Sequence, residues 1–457
     1  MEEYKILSPT GIVGYGFPED SFRAGLSMKP DIIACDAGST DPGPYYLGSG
    51  IPFTNATAVK RDMTLMLKAA CNLNIPLIIG TAGGSGATPH MEREIGIIKE
   101  IAKEHKLTFN LAIISAELEK GFLLEELQKG NIKGLDNVPE LTEQDILDST
   151  HIVAQMGIEP IIRALDEGAQ VVLCGRCYDP AAFAAPAIRS GYNKALAIHL
   201  GKLLECAAIA ATPGSGSDCM IGYLGEDYFR IEPLNPVRRC TPLSVSAHTL
   251  YEKSDPIFLP GPGGTLDLSE CDFIAETDRC VKVTGSKYIT AEKNTVKLEG
   301  ARKKGYRTIS ICGNRDPIFI SQIDSILDGL KKRVKDNLSG SNFDYKLDFI
   351  VYGKNGVMGD LEPLNCITSH EIGIVIDVVA DTQEHAGAVC SVARSTLLHY
   401  GYEGRIATAG NLAFPFSPSD IEVGVVYEFS IYHLLECEQP EALFVPTHYE
   451  VKEGVIQ

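Results

Sequence analysis

The chain lacks the features of several common protein classes. Its 41 Lys and Arg residues stand against 60 Asp and Glu, which gives a formal net charge of −19 and a pI near 5.0. Nucleic acids and anionic lipid surfaces need a basic face, so we expect neither as a partner. No apolar run approaches the roughly 20 residues of a membrane-spanning helix, and the first residues do not resemble a signal peptide. We therefore expect a cytoplasmic protein with reduced cysteines.

Several motifs of cofactor and catalytic sites are also missing. The main glycine-rich loop has neither Gly-x-Gly-x-x-Gly nor Gly-x-x-x-x-Gly-Lys-Ser/Thr spacing, so we expect no nicotinamide or nucleotide cofactor. His-Glu-x-x-His and Gly-x-Ser-x-Gly do not occur, which disfavours zinc hydrolases and α/β-hydrolases. Cys174 and Cys177 form one Cys-x-x-Cys pair. A structural zinc site needs a second such pair, and a redox role needs the first cysteine at a helix N-terminus rather than at a strand end.

The first half of the chain alternates strand-like and helix-like segments. Apolar runs bounded by turn formers predict buried strands at residues 32–35, 76–79, 109–114 and 170–174. Helical spacing predicts helices between them, including one over residues 152–167. This alternation is typical of an α/β fold, and we expect a doubly wound, mainly parallel sheet over residues 1–212.

The second half of the chain predicts a separate α+β domain over residues 213–457. Residues 240–300 hold short alternating segments with turns between them, which indicates antiparallel strands. From about residue 305 to residue 400 the order strand–helix–strand–strand–helix is compatible with a ferredoxin-like unit. A chain of 457 residues exceeds what one core usually fills, so two domains are expected.

Three polar loops follow predicted strands, at residues 36–50, 80–90 and 175–180. Loops at the carboxyl ends of parallel strands emerge on one edge of a sheet and can form one ligand pocket. The alternative for the first loop is a tight turn that caps the next helix. For the second loop it is a glycine-rich connection that lets a helix pack on a strand.

The second and third loops suggest an anion site. Glycines let backbone amides approach a ligand, and the following helix N-terminus favours a carboxylate or a phosphate. Arg176 supplies a forked donor for a carboxylate, while Asp179 is better explained as a helix cap. The candidate substrate-binding residues are Ser39, Thr40, Thr81, Gly83, Gly84, Ser85, Arg176 and Asn411.

Acid–base chemistry in such a pocket has several candidates. Asp36 or His90 would act as the base. His90 is a candidate because a helix N-terminus lowers the pKa of an imidazole, and its alternative interpretation is a surface residue in the first helical turn. The candidate proton donors are Asp41, Tyr45 and Tyr46. If a metal takes part, we expect Mg²⁺ on Asp36, Asp41 and Asp179.

Motifs along nearly the whole chain resemble the AtuA-like, or acyclic-terpene-utilisation, family. They are Ser-Pro-Thr-Gly-Ile-Val-Gly-Tyr-Gly (8–16), Asp-Ala-Gly-Ser-Thr-Asp-Pro-Gly-Pro (36–44), Gly-Thr-Ala-Gly-Gly-Ser-Gly (80–86), Glu-Gly-Ala-Arg-Lys-Lys-Gly-Tyr-Arg (299–307), residues 407–420 and Tyr-Glu-Phe-Ser (427–430). The resemblance implies a setting in acid and CoA-thioester catabolism and a small ferredoxin-like partner protein, carried as the chain's own C-terminal unit or recruited separately. It assigns no catalytic residue.

Two functions from different classes remain open. The first is a lyase or isomerase, most simply a hydro-lyase, that acts on a small hydroxy-carboxylate or its CoA thioester and works as a homo-oligomer. The second is a non-catalytic scaffold or binding subunit that needs its small partner protein. Hydrolysis of an ester or thioester through Cys177 or Ser85 is a weaker alternative, because no base is evident beside either residue.

Overall fold

A computed structural model describes residues 2–135, 137–251, 255–364 and 366–456. The chain forms two compact units, Met1–Arg302 with Phe429–Gln457, and Lys303–Glu428. The boundary predicted from the sequence lies at residue 212 instead. The boundaries differ because the strand Met220–Leu224 pairs antiparallel with the strand Tyr4–Ser8 and so extends the N-terminal sheet.

The first half of the chain contains the following elements. They are β1 (Tyr4–Ser8), α1 (Glu19–Ser27), β2 (Ile32–Asp36), α2 (Pro44–Ser49), α3 (Ala56–Leu73), β3 (Leu77–Gly80), α4 (Thr88–His105), β4 (Thr108–Ile114), α5 (Lys120–Gln128), β5 (Ile132–Gly134), α6 (Glu143–Asp148), β6 (Ser149–Ala154), α7 (Glu159–Asp166), β7 (Val171–Cys174), α8 (Ala181–Arg189) and α9 (Lys194–Leu204).

The second half contains more strand than helix. Its elements are β8 (Met220–Leu224), β9 (Tyr228–Pro233), α10 (Pro242–Thr249), β10 (Phe258–Gly261), β11 (Gly264–Asp267), β12 (Asp272–Ala275), β13 (Val281–Thr284), β14 (Lys287–Thr290), β15 (Thr295–Asn314), α11 (Pro317–Ser321), α12 (Ile323–Asn337), β16 (Tyr345–Tyr352), β17 (Ile372–Ala380), α13 (Gln383–Leu398), β18 (Asp420–Glu436), α14 (Pro440–Leu443), β19 (Pro446–Lys452) and β20 (Val455–Ile456).

The larger unit is built on a mixed sheet with the order β12-β13-β9-β8-β1-β2-β3-β7-β4-β19-β20 within the described residues. The central strands β1, β2, β3, β7 and β4 are parallel, and antiparallel strands extend the sheet on both sides. Alternate strand residues enter two different cores: Ile32 and Ile78 pack in one, and Ile33 and Ile79 in the other. Both faces of the central strands are therefore buried, and the α/β class predicted from the sequence is confirmed.

Two smaller groups of strands complete the larger unit. The strands β10, β11 and β14 form a separate antiparallel sheet. The first residues of β15 pair with β6, with Gly300 opposite Ile152. The predicted helix over 152–167 is therefore wrong at its start. Residues 149–154 form a strand that pairs with β15, and helix α7 begins only at Glu159, with Pro160 in its first turn.

The smaller unit has the element order strand, helices, strand, strand, helix, strand, with the sheet order β16-β17-β15-β18. This is the order of a ferredoxin-like unit. Helices α12 and α13 bury one face of the sheet around Leu330, Ile376 and Val389. Across the described residues, no helix combines the length and the apolar character that a membrane crossing requires.

Candidate functional site

The carboxyl ends of three neighbouring parallel strands form the centre of the candidate site. The strands β2 and β3 are paired with Asp36 opposite Gly80, and β3 is paired with β7. The loops that begin at Asp36, Thr81 and Gly175 therefore leave the same edge of the sheet side by side.

Arg176 lies in the loop that follows β7 at this edge and is almost completely buried. Its Nε donates to Oε2 of Glu299 at 2.6 Å. Its Nη1 lies 3.1 Å from Oδ1 of Asp179 and 3.0 Å from the Cys177 carbonyl oxygen. No hydrogen bond among the described residues uses its Nη2, although Arg176 lines a pocket. One arginine nitrogen thus remains available to a ligand.

Glu299 is the buried counter-ion of this arginine. Its Oε1 accepts a hydrogen bond from Thr40 at 2.9 Å and lies 3.0 Å from Nζ of Lys297. Burial acts to raise the pKa of Glu299, but the charges of Arg176 and Lys297 outweigh it and hold the pKa at about 2. Glu299 is therefore ionised at neutral pH and holds two cations and one hydroxyl in place.

The pKa of Asp36 is raised, whereas that of Glu299 is lowered. Asp36 is buried, and its Oδ1 has no hydrogen-bond partner within the described part of the chain. Burial raises the pKa of Asp36 well above its usual range, the neighbouring Asp179 raises it further, and Arg176 opposes the shift. A carboxyl with a raised pKa thus lies close to an aspartate that pairs with Arg176.

A pocket of about 410 Å³ opens above these residues. Its charged lining residues are Arg176, Asp179, Lys297 and the exposed Asp41. Its remaining lining residues are Leu135, Gln155, Tyr178, Pro260, Gly261, Pro262, Thr295, Tyr432 and Leu434. The volume falls within the range of small-molecule sites.

The glycine-rich loop that follows β3 does not line this pocket. Its residues Thr81, Gly83, Gly84 and Ser85 are all buried. The Gly84 amide donates to the Thr81 carbonyl, and Ser85 Oγ is a buried hydroxyl without a hydrogen-bond partner among the described residues. Thr81 Oγ1 accepts a hydrogen bond from the Cys177 amide at 3.3 Å.

The glycines of this loop serve close packing between the three loops. A Cβ on Gly86 would lie 2.1 Å from the backbone nitrogen of Arg176, and Gly86 has a φ of +71°. A Cβ on Gly38 would lie 2.3 Å from the Gly84 backbone. The glycines thus let the loops of β2, β3 and β7 touch backbone to backbone.

His90 and Tyr46 lie apart from the lining of the pocket. His90 is fully buried, and its Nε2 is 3.2 Å from the Ile51 carbonyl oxygen. Burial lowers the pKa of His90 to about 4. The sequence predicted a lowered pKa from the helix N-terminus, whereas the main cause in the structure is burial. Tyr46 packs edge-on against the rings of Tyr45 and Phe53.

The remaining candidates from the sequence have varied positions. Thr40 is buried against Glu299, and Ser39 Oγ accepts a hydrogen bond from the Asp41 amide at 2.9 Å. Asn411 belongs to the smaller unit, where its Nδ2 donates to the carbonyl oxygens of Leu397 and Tyr400 at the end of α13. This pairing gives Asn411 a structural role in the smaller unit.

The candidate metal and thiol groups do not form a cluster with ligand geometry. Among the described residues, no three His, Cys, Asp or Glu side chains are placed to hold a metal ion, and this includes Asp36, Asp41 and Asp179. Cys174 and Cys177 are buried free thiols. A hydrogen bond between the Cys177 and Cys174 thiols, together with burial, raises the pKa of Cys177 well above its usual range, which disfavours the reactive thiolate.

Lys297 and Glu299 are site residues that were not predicted from the sequence. Both lie on β15 and alternate with Thr295, so the three side chains share one face of the strand. A Thr-x-Lys-x-Glu alternation in a strand-like segment is the signal that would have identified them. Nothing in the local sequence, however, places this strand beside Arg176.

The comparisons with known proteins identify the family of the chain. The chain is an α/β protein with a polar pocket at the carboxyl edge of its parallel strands. Residues 56–218 and 235–415 match the acyclic terpene utilisation family protein AtuA, and the chain belongs to this family. None of the curated proteins and none of the solved structures that were compared matches the chain.

Proposed function

We propose that the chain is a lyase or isomerase, most simply a hydro-lyase, that acts on a small hydroxy-carboxylate or its CoA thioester in the pocket at Arg176. The observation that carries this proposal is the unused Nη2 of the buried Arg176 in the lining of the pocket. A guanidinium that Glu299 already orients is suited to receive a carboxylate or a thioester oxygen.

The chemistry follows from the groups around Arg176. Arg176 and Lys297 bind the substrate carboxylate and stabilise the charge that develops on it when the neighbouring carbon loses a proton. Asp179 takes this proton and then donates it to the departing hydroxyl, so that water and an unsaturated acid form and Asp179 is regenerated. Asp36, which is buried and absent from the lining of the pocket, interacts electrostatically with Asp179.

The placement of the other candidate groups supports this assignment over its alternatives. Cys177 and Ser85 are buried and absent from the lining of the pocket, which disfavours ester hydrolysis through either side chain. His90 is also buried outside the lining, which favours Asp179 as the base. The scaffold alternative predicts no turnover by the chain and its partner together.

The test is turnover of a panel of hydroxy-acids and their thioesters, followed by the ultraviolet absorbance of the unsaturated product. We expect Asp179→Asn to lower kcat/KM by at least about 100-fold, because removing a positioned base has an effect of that size. The matched control is Asp166→Asn, which removes a surface aspartate paired with Arg189. Turnover by Asp179→Asn within twofold of the wild type would show that this site is wrong.

A further inference from the structure

Gln155 lines the pocket at Arg176 but has no role in the mechanism proposed above. It follows the last residue of β6 and is 9% exposed. Its backbone amide donates to the Lys297 carbonyl at 2.8 Å, whereas its side-chain carboxamide makes no hydrogen bond to any residue that the structure describes. Buried carboxamides are normally paired, so a buried and unpaired one in the wall of a pocket is suited to a ligand.

Backbone contacts tie the segment around Gln155 to both cations of the pocket. The strands β6 and β15 pair antiparallel up to the residue before it, and their register places Gln155 opposite Lys297. Residues that lie opposite each other in an antiparallel pair have their side chains on the same face. In addition, the amide of Met156 donates to the Arg176 carbonyl at 3.0 Å. The carboxamide is therefore held close to Lys297 and beside the loop that carries Arg176.

The charged groups of the pocket leave one function for a neutral amide. Arg176 and Lys297 can only donate hydrogen bonds, and they match the carboxylate of the substrate. Asp41 and Asp179 can only accept when they are ionised. Gln155 is the one carboxamide in the described lining, and it can present a donor or an acceptor to an uncharged oxygen. In a hydroxy-carboxylate, that oxygen belongs to the hydroxyl.

We propose that the Gln155 carboxamide binds the substrate hydroxyl and is a specificity-determining group of the pocket. Its Nε2 donates to the hydroxyl oxygen while Arg176 and Lys297 bind the carboxylate. This inference rests on the function proposed above and narrows the substrate class to 3-hydroxy acids, because proton loss next to the carboxyl group requires the hydroxyl on the following carbon. An acid of the same chain without the hydroxyl leaves the buried amide unpaired and therefore binds more weakly.

The test is calorimetric binding of ligand pairs that differ only in the hydroxyl. The pairs are 3-hydroxybutanoate with butanoate and 3-hydroxyhexanoate with hexanoate, each as the free acid and as the CoA thioester. The full-length Asp179→Asn chain is used beside the wild type, because its slow turnover does not consume the ligand. We expect the hydroxylated member of a pair to bind about 10- to 100-fold more tightly, as pairing of one buried amide implies.

A substitution of Gln155 shows whether this group causes the discrimination. Gln155→Met removes the carboxamide and keeps an unbranched side chain of similar length. The hydroxy acid should then lose about 10- to 100-fold in affinity, and the acid without the hydroxyl should bind at least as tightly as before. The matched control is Gln128→Met, which removes an exposed carboxamide of α5 that donates to Glu143 and should keep the full discrimination.

Stability separates this role from a structural one. The Gln155 carboxamide has no partner among the described residues, so Gln155→Met and the second variant Gln155→Leu should leave Tm unchanged or raise it. A Tm lowered by more than about 3 °C in both variants would show a structural amide and overturn the inference. Equal affinities within the ligand pairs, or discrimination that persists in Gln155→Met, would refute it and leave the proposed function intact. No binding of any of these ligands to the wild type or to Asp179→Asn would refute both.

Discussion

The loops after β3 and β7 start from adjacent parallel strands but differ in what their polar groups do. The loop after β3 is rich in glycine, yet it is buried, and the Gly84 and Gly86 amides donate to carbonyl oxygens within the loop. The loop after β7 places Arg176 in a pocket with one nitrogen unused. The difference shows that glycine content predicts close backbone approach, whereas ligand binding depends on which donors remain unpaired.

The largest expected effect on stability comes from a change at Glu299, the buried counter-ion of Arg176. Glu299→Gln leaves Arg176 and Lys297 without their buried counter-charge, and we expect it to lower the free energy of unfolding by about 3–5 kcal/mol at pH 7. The measurement is urea unfolding of the wild type and the variant. Glu428→Gln, which changes a partly exposed glutamate paired with Lys304, is the control.

This destabilisation should depend on pH with a definite sign. The pKa of Glu299 is lowered from 4.5 to about 2 in the folded state. Its stabilising contribution is therefore fully present above about pH 4.5 and is lost as the pH falls towards 2. The difference between the wild type and Glu299→Gln should shrink over that window, and a difference that stays constant down to pH 2 would contradict the ion pairs described here.

A smaller effect is expected where the two loops touch. Gly86→Ala places a Cβ against the Arg176 backbone at a positive φ, and we expect a loss of about 2–3 kcal/mol in unfolding free energy. The matched control is Gly96→Ala, since Gly96 lies inside α4 with no atom near its added Cβ. Thermal unfolding should show Gly96→Ala unchanged or stabilised by about 0.5–1 kcal/mol. Equal effects of the two substitutions would show that the loops are not in tight contact.

The smallest expected effect tests whether the loop after β3 binds a ligand at all. Ser85→Ala removes a buried hydroxyl that has no hydrogen-bond partner among the described residues. We expect stability within about 0.5 kcal/mol of the wild type and an unchanged KM. A KM raised tenfold or more would restore the glycine-rich loop as part of the substrate site.

The sequence predicted the strands of the centre well, because their apolar runs are short and end sharply at turn formers. It also identified residues at or just after the carboxyl ends of these strands, among them Asp36 and Arg176. The start of the predicted helix at residue 152 was wrong because a short apolar segment fits a strand or a helix, and only the pairing of β6 with β15 decides between them.

The electrostatics of the site were beyond local prediction. His90 follows a glycine-rich loop at the start of a helix, and this position fits both a surface residue and a catalytic base. The burial of His90 depends on the segment around Ile51, which lies elsewhere in the chain. Glu299 reaches Arg176 only because β15 folds back against β6. Such contacts depend on strand pairing over long sequence distances, which periodicity within a window of residues does not encode.

The position of Glu299 in the chain has a consequence for the order of synthesis. Glu299 follows Arg176 by 123 residues and Thr40 by 259. A ribosome therefore completes the strands that carry Asp36 and Arg176 well before their counter-ion exists. Until residue 299 emerges, Arg176 must stay hydrated, so this edge of the sheet closes late in translation. A fragment that ends at residue 212 would leave Arg176 exposed permanently.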